Sequence, residues 1–360
     1  MGRQRSPIRV VLFDWGGTLM RDIPGFDGPM ADWPRVEAVP GAEEALRALH
    51  GRYLIAVATN AALSNERLVR AALARVGLAA YVSVVVTARD LGLSKPDLAF
   101  FHAVLERVGC SAAEAVMVGD GYGADIVGAK SAGLRAVWFN PDGARCPLVH
   151  PVHDAEIQML GELPCTLGQS LLPDVTMCLQ LLHEHGVPEN IVRHSAAVAA
   201  VAHWLALRLR ESGVEVDPLL AHRGGLLHDL DKLSSEKPTD HGVQAGRILR
   251  NLGWAALARI AERHVLGTPP ETWEEKLVHY ADKIVEGDRV VGLIPRLAAL
   301  SRRYPPERER IAAALPPLRS LEEEIAAALR TSPDELRAEL GRLDVALPPF
   351  VVPPDPAYDR

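Results

Sequence analysis

Val10-Val11-Leu12-Phe13-Asp14-Trp15-Gly16-Gly17-Thr18-Leu19 runs four apolar residues without alternation into a carboxylate and then into a glycine turn. An unbroken apolar run of this kind reads as a strand buried on both faces, which belongs in a parallel sheet. Similar runs recur at 54–58, 82–86, 116–118 and 136–139, separated by amphipathic stretches at 42–49, 64–76 and 97–108. This βα alternation predicts a doubly wound parallel α/β sheet for the N-terminal half. A last element of that half is expected at 154–163, and Pro164, Gly168 and Pro173 make 161–174 read as a linker. From about residue 175 the strand signal gives way to helical periodicity at 189–211, 218–230, 241–252, 254–264, 272–285 and 289–302. Thr272 and Glu275 form a capping-box pattern. Two further amphipathic stretches lie at 321–330 and 333–343, and the tail from 347 is proline-rich and reads as loose chain. The expected organisation is therefore an α/β domain at 7–165, an all-α domain at 175–303 and a C-terminal helical extension at 304–345.

The bulk properties narrow the function. A chain of 360 residues exceeds one ordinary core, and 48% hydrophobic residues is enough for two. A net charge of −7 and a pI near 6.0 give no basic face for nucleic acid, so a phosphate group would be held by local cations. The cysteines at 110, 146, 165 and 178 form no C-x-x-C pair, which argues against a structural zinc or disulfide framework and fits a reducing cytoplasm. No membrane span is expected, since the longest apolar stretch, near 196–207, is short and broken by His203. The apolar run behind the basic N-terminus stops at Asp14, unlike a signal peptide. Met1-Gly2 with Ser6 fits the loose myristoylation pattern, which is too short to carry weight. No G-x-S-x-G elbow occurs, and Gly119–Gly123 lacks the lysine of a phosphate-binding P-loop.

Two sets of potential metal ligands remain, and they differ in hardness. Asp14, Asp120 and Asp125 are all-oxygen donors that suit magnesium. His194, His228, Asp229, His241, His264 and Asp282 mix imidazole with carboxylate and suit iron, manganese or zinc. Each aspartate or histidine alone reads more simply as a turn, surface or packing residue. His203, His222 and His279 are expected to pack or hydrogen-bond, and His183 and His185 to be solvated.

The first set sits at strand ends, where ligands bind in doubly wound sheets. Asp14 follows the first run, Thr59-Asn60 the second, Lys95-Pro96-Asp97 the third and Gly119-Asp120 the fourth, with Asp125 five residues on. In this order the motifs resemble the haloacid dehalogenase superfamily over residues 8–165. The resemblance implies that Asp14 is a nucleophile forming an aspartyl-phosphate and that Thr59 hydrogen-bonds a phosphoryl oxygen. It implies that Lys95 offsets negative charge, and that Asp14, the Gly16 carbonyl, Asp120 and Asp125 hold Mg2+. Family phosphatases carry a second aspartate two residues after the nucleophile as general acid, and here that position is Gly16. Three readings stay open: a slow phosphatase, an acid drawn from elsewhere in the chain, or phosphate binding without turnover. The gap between Thr59 and Lys95 leaves no room for an inserted cap domain, while 22–39 suits a short flap.

The second set, His194, then His228-Asp229, then Asp282, resembles the HD-domain metal-dependent phosphohydrolases over 175–300. With His241 and His264 added, it is similar to a subset that includes the symmetrical diadenosine-tetraphosphate hydrolases. This resemblance implies one or two transition-metal ions, which would polarise a phosphate and activate water. It casts Lys232 as a phosphate contact or a partner of Asp229. The sequence thus predicts a two-domain phosphohydrolase acting on a small phosphorylated substrate or nucleotide. Mononucleotides, cyclic nucleotides and other phosphoesters all remain open. The competing reading is a first domain that senses a phosphorylated ligand and regulates an HD hydrolase. Oligomeric state is not indicated.

Overall fold

The computed structural model describes residues 7–169, 171–233 and 241–346. The myristoylation pattern and the proline-rich tail lie outside the described residues. The chain forms two compact units, Met1–Pro147 with Val152–Leu171, and Leu148–Pro151 with Leu172–Arg360.

The first unit is built on strands β1 (Val10–Phe13), β2 (Leu54–Thr59), β3 (Val84–Thr87), β4 (Ala115–Gly119), β5 (Arg135–Phe139) and β6 (Ala155–Ile157). They form one six-stranded sheet in the order β3-β2-β1-β4-β5-β6 with every pairing parallel. The unbroken apolar runs follow from burial on both faces. Val11, Phe13, Ile55, Val57, Val116 and Val118 enter one core. Val10, Leu12, Ala56, Ala58, Ala115 and Met117 enter the core on the opposite face. β1 pairs with both β2 and β4, so the strand order reverses beside it, and that is where such sheets open a ligand crevice. The element at 154–163 contains β6, whose three residues are too few to show a period. Within the expected linker a helix forms at Leu163–Gly168, because Pro164 sits in its first turn, where its missing N–H costs nothing.

The second unit is helical. Glu189–Glu211 is its longest helix and is buried nearly all round, with Ala196 and Ala199 facing one core and Val198, Val201 and Leu205 another. Around it stand Val175–Glu184, Pro218–Leu227, Val243–Asn251, Ala255–Arg263 and Trp273–Asp282. The helix expected from 289 instead begins at Leu293 after Gly292, whose φ is 85°. Val285–Glu286 and Arg289–Val290 pair before it as a short antiparallel hairpin. The helix expected at 321–330 spans Leu315–Ala328, with Pro316 and Pro317 in its opening turn. Ile311, Leu318, Ile325, Leu336 and Leu340 share a core with Val198, Leu205 and Leu277, so the C-terminal helices are packed into this unit. No helix among the described residues is long and apolar enough to cross a membrane.

The helices 189–211 and 218–227 approach closely because Gly225 has no side chain. A Cβ there would lie 2.5 Å from the Ala199 Cα and 2.7 Å from its nitrogen. Gly225→Ala must therefore push the two helices apart, and urea denaturation should show a loss of about 1–3 kcal/mol. Unchanged stability would contradict this packing.

Candidate active sites

At the carboxyl edge of the sheet, Asp14 leaves β1 and Asp120 and Asp125 follow β4. Their carboxylate oxygens all lie within 4.8 Å of one another. The Lys95 Nζ donates to Asp14 Oδ1 and to Asp125 Oδ1 at 2.6 Å each, and to the Ala58 carbonyl at 2.8 Å. Asn60 holds the lysine's backbone, accepting from Lys95 N at 2.8 Å and donating to Lys95 O at 2.9 Å. Thr18 fixes Asp120 by donating to Oδ1 at 2.8 Å and accepting from its N–H at 3.2 Å. Gly121 N–H donates to Asp125 Oδ2 at 2.9 Å. Two glycines clear this space: a Cβ on Gly17 would fall 2.5 Å from Asp120 Oδ2, and one on Gly119 would fall 2.3 Å from Asp125 Oδ2.

The charges in this site do not balance on their own. One ammonium faces three carboxylates, leaving an excess of two negative charges when all are ionised. Burial pushes the Asp14 carboxyl up despite Lys95, and pushes Asp125 up to about 7. Burial also opposes the Lys95 ammonium, but Asp14 and Asp125 outweigh it and hold its pKa above the ordinary value. A divalent cation with oxygen ligands supplies the missing charge, so the residues present fit magnesium. Thr59 is buried at the end of β2 and lines, with Asp14, Trp15, Gly16 and Asp22, a cavity of about 300 Å³. Met30 and Trp33 of segment 22–39 form another wall of it. Arg75 pins that segment by donating to the carbonyls of Ala31 at 2.9 Å, Trp33 at 2.6 Å and Pro34 at 3.2 Å. Asp22 is raised by partial burial and by the nearby charges of Asp120 and Asp14.

In the second unit His194, His228, Asp229, His241, His264 and Asp282 come together. The His194 Nε2 lies 3.0 Å from Asp282 Oδ1, and the His241 Nε2 lies 2.9 Å from Asp229 Oδ1. The His264 Nε2 lies 3.1 Å from the His241 Nε2 and 3.5 Å from Asp229 Oδ1. The His228 Nε2 lies between the two carboxylates, 3.7 Å from Asp229 and 3.8 Å from Asp282. That nitrogen is buried and has no hydrogen-bond partner among the described residues. All four rings are anchored through the other nitrogen. Nδ1 faces the carbonyl of Gly287 in His194 at 3.2 Å, of Gly225 in His228 at 2.7 Å and of Ala261 in His264 at 2.6 Å. In His241 it faces the Asp231 carboxylate at 2.9 Å. These oxygens only accept, so each Nδ1 carries a proton and each Nε2 turns inward. Such anchoring prepares imidazoles as metal ligands. The orphaned His228 Nε2 between two carboxylates beyond hydrogen-bond reach is the position that a shared cation fits. The two triads His194, His228, Asp282 and His228, Asp229, His264 each bring ligand atoms within 4.8 Å of one another.

Burial opposes ionisation of both aspartates here, but their partners win. His228, Lys232, His241 and His264 hold Asp229 well below the usual carboxylate range. Lys283, His194 and His228 do the same for Asp282. Burial lowers His228 and pushes His264 down to about 3. His241 is opposed by burial but raised to about 9 by hydrogen bonds to Asp229 and Asp231. Lys232 Nζ lies 3.2 Å from Asp229, so the structure places it as a partner of that carboxylate.

Sequence reasoning passed over Asp231, which anchors His241 and also accepts from the N–H groups of Gly242 at 2.8 Å and Ala245 at 3.0 Å. Its spacing two residues beyond Asp229 was the available signal. Lys283 and Arg296, which meet Asp282, and Thr18, which meets Asp120, were also passed over. His203 and His222 meet edge to face with centroids 5.5 Å apart, and His222 meets His150 in the same way at 5.1 Å. They stand apart from the ligand set, as packing residues. His183 is exposed and His185 half-buried.

The fold and these two ligand sets define a polypeptide with two hydrolase-family domains. The chain carries a haloacid dehalogenase-like hydrolase domain, matched over residues 26–133, and an HD domain, matched over 191–287. All six residues of the histidine set fall inside the second match, while Asp14 precedes the first. An uncharacterized protein of Methanocaldococcus jannaschii is 42% identical over 120 residues, covering 29% of this chain and 70% of that protein. A ribulose-1,5-bisphosphate 5-phosphatase of Halopiger xanaduensis is 38% identical over 133 residues, covering 35% of this chain and 54% of that protein. A phosphoserine phosphatase of Thermus thermophilus is 39% identical over 109 residues, covering 29% of this chain and 42% of that protein. The chain thus spans about half or less of these two phosphatases. A solved structure from Listeria monocytogenes serotype 4b aligns with 28% identity and a TM-score of 0.40, covering 44% of this chain and 97% of that one.

If His241 is a ligand, a metal must displace its proton. Manganese affinity measured by calorimetry in the Asp14→Asn protein should then rise about tenfold per pH unit between roughly pH 7 and pH 8.5. His241→Ala should flatten that slope. A flat profile in the parent protein would remove His241 from the ligand set.

Proposed function

We propose that the chain is a two-site, divalent-metal-dependent phosphohydrolase acting on small phosphoesters or nucleotides. The observation that carries this reading is the pair of pre-arranged ligand sets, three carboxylates facing one lysine and four inward-turned imidazoles with two carboxylates. A bound divalent ion would supply the positive charge that lets a nucleophile approach an anionic phosphate in either site.

In the first site, Asp14 is the nucleophile, with Lys95 and Thr59 meeting the phosphoryl oxygens. Asp14, the Gly16 carbonyl, Asp120 and Asp125 would hold magnesium. The cavity of about 300 Å³ suits a small phosphoester better than a polymer. The names of the two related phosphatases support the same substrate class. In the second site, His194, His228, Asp229, His241, His264 and Asp282 would hold one or two ions such as iron, manganese or zinc. Lys232 holds Asp229 ionised, and Asp231 orients His241. The domain bounds 7–165, 175–303 and 304–345 and a cytoplasmic setting, read from the cysteine spacing, belong to this proposal.

Single-site variants of the whole chain test it against a panel of phosphoesters and nucleotides with magnesium or manganese. Asp14→Asn should lower one set of activities by about 10³-fold or more and spare the other. His228→Gln should do the reverse. If neither substitution changes any phosphate release, the reading fails. If Asp14→Asn alters only the affinity or regulation of the histidine site, the first domain is a sensor.

A further inference from the structure

The sequence leaves the first site without a proton donor at Gly16, and the structure shows what fills that space. A Cβ built on Gly16 would lie 3.1 Å from Asp22 Oδ1, 3.4 Å from Oδ2 and 3.6 Å from Cγ. The carboxyl of Asp22 therefore occupies the volume that a side chain at position 16 would enter. The chain folds back to put it there. Leu19 N and Met20 N donate to the Trp15 carbonyl at 3.0 and 2.8 Å, and Gly17 N donates to the Met20 carbonyl at 2.8 Å. Arg21 N to Glu37 O and Val39 N to Leu19 O, both 2.9 Å, then fasten the turn to the far end of the flap. Asp22 makes no hydrogen bond or ion pair with the described residues. Its carboxyl lines the same cavity as Asp14 and Thr59.

We propose that Asp22 is the general acid and base of the first site, delivering from a neighbouring turn the carboxyl that Gly16 lacks. This rests on the aspartyl-phosphate reading above. In the first step an Asp14 oxygen bonds to phosphorus and the bond from phosphorus to the leaving oxygen breaks. That oxygen keeps the electron pair and takes the proton of Asp22, giving a free alcohol. In the second step the Asp22 carboxylate takes a proton from water as the water oxygen bonds to phosphorus. The bond to Asp14 breaks with its electron pair returning to the carboxylate, inorganic phosphate leaves, and Asp22 is protonated again. Gly16 is then a requirement of the arrangement, since a side chain there would press on the acid.

The test uses the full chain with magnesium and two probes, an alkyl phosphate monoester and p-nitrophenyl phosphate. The alkoxide needs a proton to leave and nitrophenolate does not. Asp22→Asn should lower turnover of the alkyl ester by about 10²-fold or more. On p-nitrophenyl phosphate it should release one nitrophenolate per active site in a burst and then turn over slowly, because phosphoryl transfer survives while hydrolysis of the aspartyl-phosphate does not. Magnesium affinity should stay within about twofold, whereas a metal-ligand role would lower it. Asp22→Ala combined with Gly16→Asp should recover alkyl-ester turnover above Asp22→Ala alone, because removing the carboxyl makes room at position 16. The proposal is overturned if Asp22→Asn leaves alkyl-ester turnover unchanged, or slows both probes equally without a burst. Wild-type release that Asp14→Asn does not reduce would overturn the parent reading and this one together. Loss at Asp14 without loss at Asp22 overturns this one alone.

Discussion

The contact of Lys95 with Asp14 and Asp125 is the constraint around which the first unit is arranged. An ammonium this deeply buried is tolerable only with paired carboxylates, and the carboxylates are tolerable only with it. Three strands must end in register for the contact to exist. β1 delivers Asp14, β2 ends at the Ala58 carbonyl and Thr59, and β4 leads into Asp120 and Asp125. The reversal of strand order beside β1 opens the space above them. Even so the lysine does not neutralise the cluster, and the raised carboxyls mark the deficit. The protein alone leaves this charge arrangement unfinished, and a divalent cation fits the deficit.

The second unit meets the same electrostatic problem by different means. Its candidate ligands are two carboxylates and four imidazoles whose orientation comes from what lies behind the rings. Three rings lean on backbone carbonyls and the fourth on Asp231, so their inner nitrogens are committed before any ion arrives. Asp229 and Asp282 differ from Asp14 and Asp125 in being held low, Asp229 by His228 and Lys232 and Asp282 by Lys283 and His194. All-oxygen donors in one unit and mixed nitrogen and oxygen donors in the other give the two sets different preferences among divalent ions.

Much of this was legible in the sequence because chemistry and order are preserved along the chain. Unbroken apolar runs showed the parallel sheet, and carboxylates directly behind them marked the strand ends. The six residues of the histidine set were found by residue type and by the resemblance to the HD-domain hydrolases, and they are neighbours in space. What escaped was set by approach rather than by sequence distance. Asp22 reaches Gly16 only because the turn at 15–20 folds back, and Asp231 matters only because His241 comes to rest on it. The hairpin at 285–290 has strands of two residues, below any readable period. Pro164, Pro316 and Pro317 were read as breaks or passed over, although each opens a helix.

Anomalous scattering at the manganese edge, from crystals of the full chain grown with manganese, observes directly whether each ligand set holds a metal. One peak is expected among Asp14, Asp120 and Asp125 and at least one beside the His228 Nε2, each about 2.0–2.4 Å from its ligand atoms. Well-ordered crystals with no peak at either ligand set, or with manganese bound only elsewhere on the surface, would contradict that expectation.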